Sequence, residues 1–430
     1  MEQALCFMIK INPDDSLNRL YRTPMTDDLL HRIRVLETQV ALLTHATLGE
    51  GEDAEADVGL ADLSGALSSA ITALAPLQAL LSDDTVNDIL INGPAHVYVE
   101  RDGRLEKTGL TFASDADVFS IAKAIATQMG RRLDGRRPLL DARLPDGSRV
   151  NVVAPPLAVD GTVISIRKFA RRSITLDDMR DQGNLSAGLA EFLKVIALSK
   201  LNIVISGGTG SGKTTLLNAI SQFIGADERI VTIEDAAELR LQQPHVVRLE
   251  TRPMQLGRQA EEVGIRDLMR NALRMRPDRI IVGEVRGPEA FDMMQAMNTG
   301  HEGSLTTIHA NHPRDAVARL ENMINMANLN LPSMAIREQI ASAIHLIVQI
   351  SRMRDGQRRV AFVSELVGME GNMVTMQDVF VFQTKGEGPD GKVLGEFKWT
   401  GIMPRFLRRV AYYGQTERLS AAFGVKLPKM

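Results

Sequence analysis

The sequence is poor in cysteine and in aromatic residues, and neither sign of charge dominates. Cys6 is the only cysteine among 430 residues, which excludes an intramolecular disulfide framework and any zinc site built from several cysteines. Aromatic residues make up 4% of the chain, and 50 basic residues stand against 53 acidic ones. Proteins that bind nucleic acids usually have a basic surface and aromatic side chains on which bases stack. The composition therefore argues against direct nucleic-acid binding, and the single cysteine fits a reducing cytoplasm.

Long apolar runs are missing as well. No stretch reaches the ~18–20 residues that a membrane-spanning helix needs. The first residues also lack the basic segment and the apolar stretch that together mark a signal peptide. We therefore expect a cytoplasmic protein that associates with a membrane only through partner proteins.

The most informative segment that is present is a glycine-rich loop directly after an apolar run. Residues 203–215 read IVISGGTGSGKTT and contain the pattern G-x-x-x-x-G-K-[ST]. The backbone N–H groups of such a loop and the N-terminus of the next helix bind phosphate. Lys213 can reach the β- and γ-phosphates, and the Thr214 hydroxyl can ligate Mg²⁺. The expected nucleotide-binding residues are Gly207, Gly208, Thr209, Gly210, Ser211, Gly212, Lys213, Thr214 and Thr215. The sequence therefore predicts binding of a nucleoside triphosphate, taken to be ATP with Mg²⁺.

Two further apolar runs end in carboxylates. Arg279–Glu284 reads RIIVGE and delivers Glu284, while Ile230–Asp235 reads IVTIED and delivers Glu234. The carboxyl ends of parallel strands meet at the edge of an α/β sheet where ligands bind. Either glutamate could act as the general base or hold the waters of the metal, Glu284 being a candidate Mg²⁺ ligand through water. The spacing leaves the division of roles open.

Histidines occur in the segment Gly300–Asn311, which reads GHEGSLTTIHAN. His301 and His309 stand eight residues apart, without nearby cysteines or an HExxH pattern, so a zinc site is not expected. His309 is a candidate γ-phosphate sensor or coupling element. For His301 a structural role is an equal alternative.

Arginines supply the last signal. Arg266, Arg270 and Arg274 share one face of a predicted helix over 265–275, either as exposed surface or as a subunit interface. Arg149 and Arg167, on separate predicted strands, are candidates to neutralise phosphoryl-transfer charge from another subunit.

The chain divides into four predicted parts, with an α/β fold overall. Residues 1–60 form a variable helical extension that ends in the acidic linker 49–59. They carry a heptad-like stripe that fits a short amphipathic helix better than a coiled coil. Residues 61–170 show a mixed α+β pattern, residues 171–186 an interdomain linker, and residues 187–430 alternating strands and helices typical of a parallel sheet.

Four segments together resemble the Walker A loop, Asp box, Walker B strand and His box of the type II/type IV secretion ATPase superfamily. They are, in that order, the glycine loop, Glu234-Asp235, Gly283-Glu284-Val285-Arg286 and Gly300–Asn311. Gly283 stands where the Walker B strand usually has an aspartate. The wording of Asn271–Ala290 and Ser364–Gly371 is similar to that of the Flp/Tad-pilus assembly ATPases, the CpaF/TadA-like branch. The resemblance covers residues 65–425.

This resemblance implies a RecA-like C-terminal domain in a homohexameric ring, preceded by a mobile N-terminal domain. ATP would lie between the two domains, with Arg149 and Arg167 reaching it across the cleft. The motor would act on an inner-membrane platform protein to add or remove pilin subunits. A conjugation-like type IV secretion ATPase is the alternative, and a RecA-like nucleic-acid motor is a third reading. Residues 1–60 and Met254–Val263 depart from the family wording, and the lone cysteine excludes the tetracysteine zinc insertion of several relatives.

Overall fold

Two β-sheets with separate hydrophobic cores organise the chain. The structure, a computed structural model, describes residues 75–101, 104–129, 131–144, 146–169, 173–252 and 262–427, which all belong to one compact unit. The predictions for residues 1–60 and for most of 254–263 lie outside these residues, as do 102–103 of the hairpin turn that the sequence Arg101-Asp102-Gly103 predicts. Among the residues that are described, no helix is both long and apolar enough to cross a membrane.

The first sheet has six antiparallel strands in the order β3-β2-β1-β6-β5-β4. Along β1, buried residues such as Ile89 and Ile91 alternate with less buried ones. The buried side chains therefore lie on one face of the sheet, which packs on a helix. A capping box between Ser114 and Asp117 begins that helix. The elements are β1 Val86–Asn92, β2 Val97–Arg101, β3 Arg104–Lys107, β4 Leu139–Arg143, β5 Arg149–Val153 and β6 Val163–Arg167, with a 3₁₀ turn Ala75–Leu77 and helices α1 Gln78–Ser82 and α2 Asp115–Gln128.

The second sheet has nine strands in the order β15-β14-β13-β12-β7-β11-β10-β8-β9. The six from β12 to β9 are parallel, and β13–β15 extend the sheet as an antiparallel meander. The strands are β7 Ile203–Ser206, β8 Ile230–Glu234, β9 Val246–Glu250, β10 Arg279–Val282, β11 Leu305–Ile308, β12 Leu346–Arg352, β13 Arg358–Glu370, β14 Met373–Glu387 and β15 Val393–Trp399.

Helices cover both faces of the second sheet and form two buried layers. One layer surrounds Phe192, whose ring contacts Phe380, Phe406 and Phe423. The other surrounds methionines such as Met293. The helices are α3 Leu176–Asp181, α4 Ala187–Leu198, α5 Lys213–Ser221, α6 Ile265–Ala272, α7 Glu289–Asn298, α8 Pro313–Asn325, α9 Ser333–Ala343, α10 Leu407–Tyr412 and α11 Thr416–Phe423. The predicted α/β class, with an α+β part before a parallel-sheet part, is confirmed.

Some local predictions were wrong. Residues 385–392, which the sequence predicts as an exposed loop, are strand only at their start: β14 continues to Glu387, and 388–392 form the turn before Val393 of β15. The predicted helix 265–275 ends at Ala272, and Arg276 takes a left-handed φ of 55° just before Pro277. The linker prediction over 171–186 includes α3, which Thr175 caps. The domain limits themselves stay a prediction.

Candidate functional site

The glycine-rich loop connects β7 to α5 at the centre of the parallel sheet. The first and the last glycine of the loop occupy positions where a larger residue would not fit or would be strained. A Cβ at Gly207 would lie 2.4 Å from the Ile350 carbonyl oxygen, and Gly212 takes a φ of 97° as the N-cap of α5. Ser211 stabilises the turn by donating to the Gly208 carbonyl at 2.8 Å. The loop therefore forms the predicted backbone cradle immediately before the N-terminus of a helix.

Lys213 is the first residue of α5, and its side chain is buried over the loop. Its Nζ donates to the Gly208 carbonyl at 3.0 Å and lies 3.3 Å from Nε2 of His309. Burial lowers the pKa of Lys213, and the carboxylate of Glu284 opposes that shift. The ammonium group therefore already lies over the loop. A bound phosphate oxygen would take the place of the Gly208 carbonyl as its hydrogen-bond acceptor.

Glu284 follows β10 and contacts two basic side chains. Its Oε2 accepts from Arg286 at 2.9 Å, and its Oε1 lies 3.4 Å from Nε2 of His309. Burial and the charge of Lys213 lower the pKa of His309, against the raising effect of Glu284. At neutral pH His309 is therefore a neutral ring between an ammonium and a carboxylate, which suits a sensor of added phosphate charge.

Glu234 ends β8 and is only 4% exposed. Its Oε2 accepts the backbone N–H groups of Glu238 at 2.7 Å and Leu239 at 2.9 Å. Its Oε1 has no hydrogen-bond partner among the described residues. Burial raises the pKa of Glu234 to about 7, although the two backbone hydrogen bonds oppose the shift. A buried carboxylate with one free oxygen and a pKa near neutrality has the properties of a general base.

A small cavity joins the two glutamates to the phosphate loop. Its lining includes Thr214, Glu234, Glu284 and Arg149. The strand-end pattern predicts that Glu234 and Glu284 lie beside the phosphate loop, and the structure places both around one space with Thr214 and with Arg149 of the same chain. His309 reaches the same place through Glu284 and Lys213.

His301 does not join this group. It precedes β11, whereas His309 follows it, and β11 runs parallel to β7. The two histidines therefore lie at opposite ends of one strand, and the glycine-rich loop is at the end that carries His309. The neighbouring Glu302 pairs with Arg409 of α10 at 2.6 Å. Of the two alternatives left open for His301, this position favours the structural role, because β11 separates the residue from the phosphate loop.

Arg149 and Arg167 come from the first sheet of the same chain. Together with Thr214, Thr215 and Arg240 they line a second cavity beside the phosphate loop. Arg149 pairs with Glu238 at 3.3 Å and Arg167 with Asp88 at 3.2 Å. The structure therefore brings both arginines to the glycine loop within one chain.

The pairing register puts these arginines in a row. Arg143 lies opposite Arg149, and Arg149 lies opposite Arg167, on the three adjacent strands β4, β5 and β6. Like charges directly opposite one another destabilise a sheet. Carboxylates offset this repulsion, because Arg143 pairs with Glu250, Arg149 with Glu238 and Arg167 with Asp88.

Three further side chains at the site were missed by sequence reasoning. Arg358, at the start of β13, donates to the Gly210 carbonyl of the loop at 2.9 Å. The Arg240 guanidinium lies 3.7 Å from the centre of the Phe169 ring at the cavity wall. Arg143 donates to the Ala237 carbonyl. None of the three stands in a local pattern, unlike Arg286, which belongs to the motif of Glu284 and also lines the site.

The arginine stripe of α6 lies apart from this site. Arg266 and Arg270 both contact Asp292 of α7, at 2.9 and 3.6 Å. Arg274 is exposed and follows the end of the helix. The two open interpretations, surface or subunit interface, stay predictions.

The residues present fit ATP and Mg²⁺. At Gly207 the loop lies so close to the Ile350 carbonyl that only glycine fits. Lys213 donates to the Gly208 carbonyl within the same loop. The described residues hold no group of three or more His, Cys, Asp or Glu suited to a metal. Mg²⁺ in nucleotide sites takes one or two protein ligands and completes its shell with phosphate and water, so Thr214 and Glu284 suffice.

Comparison with known proteins identifies the family. Residues 71–386 match the family of type II/IV secretion system proteins. The chain is 38% identical over 313 residues to a Mycobacterium tuberculosis (strain CDC 1551 / Oshkosh) protein provisionally named as a conjugal transfer protein, covering 71% of this chain and 88% of that one. The chain belongs to the type II/IV secretion system protein family.

A further relative agrees with this membership, and a solved structure shares the fold. The chain is 33% identical over 325 residues to the type IV secretion system protein VirB11 of Bartonella henselae, covering 66% of this chain and 89% of the relative. The solved structure of the Yersinia pseudotuberculosis ATPase DotB is similar with a TM-score of 0.50 and 19% identity, over 69% of this chain and 78% of that chain. At this identity the second likeness concerns the fold alone. The superfamily expected from the sequence motifs is confirmed.

Proposed function

We propose that this chain is the ATP-hydrolysing motor of a type IV, conjugation-like secretion system. The observation that carries the proposal is the convergence of Lys213, Glu234, Glu284 and Arg149 around Thr214. The relatives in the previous section, named for conjugal transfer and type IV secretion, support the choice of system.

The residues have separate roles in this proposal. ATP with Mg²⁺, when bound, supplies the γ-phosphoryl group and the metal charge that stabilises its transfer to water. The loop N–H groups and Lys213 bind the phosphates, and Thr214 holds the metal. Glu234 takes the proton of the attacking water at its free Oε1, while Glu284 orients the metal's waters and His309. Arg149 and Arg167 neutralise charge from the side of the first sheet.

Assembly of a Flp/Tad-type pilus is the second candidate. The wording of Asn271–Ala290 and Ser364–Gly371 favours it. In either case we propose a homohexamer at the bacterial inner membrane that acts on membrane-embedded platform proteins and does not bind nucleic acid directly. Stimulation of ATP hydrolysis by a detergent-solubilised Flp/Tad platform protein, but not by a conjugal inner-membrane component, would favour the pilus.

The decisive experiment measures ATP hydrolysis and molar mass together. Wild type should turn over ATP, Lys213→Ala should lose turnover because the phosphate clamp is gone, and Lys123→Ala, a change at an exposed lysine of α2, should not. Light scattering with ATP and Mg²⁺ should give six times the subunit mass. A stable monomer that hydrolyses ATP would contradict the ring, and a Lys213→Ala variant with normal turnover would contradict the site. Stimulation by DNA would revive the nucleic-acid motor.

A further inference from the structure

Arg143 is the outermost arginine of the row on the first sheet, and its side chain leaves that sheet. The guanidinium crosses to the second sheet, where Nη1 lies 3.3 Å from the carbonyl oxygen of Ala237 and 3.3 Å from Oε2 of Glu250. Its Nη2 is buried and has no hydrogen-bond partner among the described residues. Arg143 therefore fastens one sheet to the turn that follows β8.

The carbonyl that Arg143 binds belongs to a peptide unit with a second partner. The other side of that unit is the N–H of Glu238, which donates to Oε2 of Glu234 at 2.7 Å. A trans peptide unit is planar, so its C=O and N–H point in opposite directions and move together. Hydrogen bonds in series also polarise one another. One peptide plane thus links the guanidinium of Arg143 to the carboxylate of Glu234.

Neighbouring contacts hold the same turn. Arg248 donates to the Ala237 carbonyl at 3.1 Å, and Arg149 pairs with the side chain of Glu238 at 3.3 Å. Arg248 lies on β9, in the same sheet as Glu234, so it cannot report where the first sheet is. Arg143 and Arg149 both come from the first sheet, but Arg149 contacts the side chain of Glu238, whereas Arg143 contacts the backbone beside Glu234.

We propose that Arg143 is a positioning residue for Glu234: by binding the Ala237 carbonyl it fixes the peptide plane that holds Oε2 and so aims the free Oε1 into the cavity beside Thr214. The inference rests on the proposed function, since it assigns how the catalytic carboxylate is held. Two rival roles differ in their consequences. A direct phosphate contact would act independently of Glu234, and a simple fastener between the sheets would change stability alone.

The kinetic test is a double-mutant cycle. Arg143→Ala should lower kcat about 10-fold or more, because small displacements of a catalytic group are costly, and should leave KM for ATP within about twofold. Arg143→Lys, which keeps one donor, should recover part of the loss. In a Glu234→Gln background Arg143→Ala should have no further effect on kcat. Additive losses would overturn the proposal in favour of direct phosphate contact.

A second readout does not depend on hydrolysis. Hydrogen exchange of the peptide covering 235–240 should become faster in Arg143→Ala, because the Glu238 amide loses its fixed orientation. It should not change in Arg104→Ala, a matched substitution at an exposed arginine of β3. If wild type hydrolyses no ATP, the proposed function fails and the exchange measurement still judges Arg143. Unchanged exchange at 235–240 would overturn the positioning role whatever the activity.

Discussion

A Cβ added to Gly283, directly after β10, would lie 2.9 Å from Cγ of Glu234 at the end of the adjacent parallel strand β8, so these two residues share one space. The position of Gly283 is the one where the Walker B pattern usually has an aspartate. In this chain the space is filled from the neighbouring strand, by the side chain of Glu234. The missing aspartate is therefore a consequence of where Glu234 packs, and the glycine is required by contact.

Gly283→Asp should damage the site although it restores the usual residue. The new side chain would displace Glu234 and place a second carboxylate beside it. We expect kcat to fall at least about 10-fold and stability to fall by about 1–3 kcal/mol from overpacking. Gly109→Asp is the matched control, because a Cβ there meets nothing within 4 Å. Steady-state kinetics and thermal unfolding measure both effects, and a Gly283→Asp variant with normal kcat would contradict the shared-space account.

The two glutamates should separate on substitution. Glu284→Gln should still bind ATP and turn over slowly, because it removes the charge between Arg286 and His309. Glu234→Gln should lose turnover more completely if Glu234 is the general base, since an amide cannot accept the proton. Single-turnover hydrolysis and nucleotide-affinity measurements distinguish these effects. A larger loss in Glu284→Gln would exchange the two roles.

The sequence was sufficient for those parts of the site that adjoin strand ends. Parallel strands place their carboxyl ends at one edge, so Lys213, Glu234, Glu284 and His309 could be predicted to meet. It was insufficient where a contact joins distant elements. Arg143 reaches Ala237 from another sheet, and neither residue stands in a pattern that indicates the contact.

The position of His301 is a second feature that the sequence pattern did not indicate. It belongs to one recognisable motif with His309, but the four-residue strand between them sends it to the far edge of the sheet. Membership of a motif therefore did not predict proximity, whereas strand direction did.

Activity should depend on the protonation of Glu234. Burial raises its pKa to about 7, so kcat should rise as the pH passes through 7 and level off about one pH unit above it. Because the folded-state pKa is raised, the unfolding free energy falls as the pH rises from the unfolded-state pKa of 4.5 to about 7. Glu234→Gln should therefore unfold at a higher temperature than wild type at pH 8, by an amount worth up to about 3 kcal/mol. At pH 4 that advantage should vanish; an advantage that persists there would contradict the raised pKa.

Arg167→Ala should separate nucleotide binding from hydrolysis. Arg167 lines the cavity beside Thr214 from the first sheet, and its guanidinium is largely exposed. Removal of a cation that acts on transferring charge lowers kcat by about 10³-fold or more in related phosphoryl-transfer sites. Fluorescent-nucleotide affinity should change little. Arg104→Ala on β3, at the far edge of the same sheet, is the control, and equal losses in both variants would contradict a role for Arg167 in the site.

Substitutions at the edge of the sheet opposite the phosphate loop should lower stability and should not change the chemistry of the site. Arg279, only 1% exposed, binds both oxygens of Glu228 at 2.8 Å, and Lys200 adds a third contact at 3.0 Å. Removing one partner of such a buried pair costs about 3–5 kcal/mol because the other charge stays buried. Arg279→Ala should therefore lower the unfolding free energy by that order.

The pH dependence of that loss identifies its cause. Burial would raise the pKa of Glu228, but Arg279 and Lys200 outweigh it and hold the pKa at about 2. A lowered folded-state pKa gives stability that is present above the unfolded value of 4.5 and is lost as pH falls through 2. The difference in unfolding free energy between wild type and Arg279→Ala should be full at pH 7 and should shrink below pH 4.5. Chemical denaturation at pH 7, 4 and 3 measures it. A difference that is independent of pH would assign the loss to packing around Gly303, whose carbonyl Arg279 also binds, and not to the ion pair.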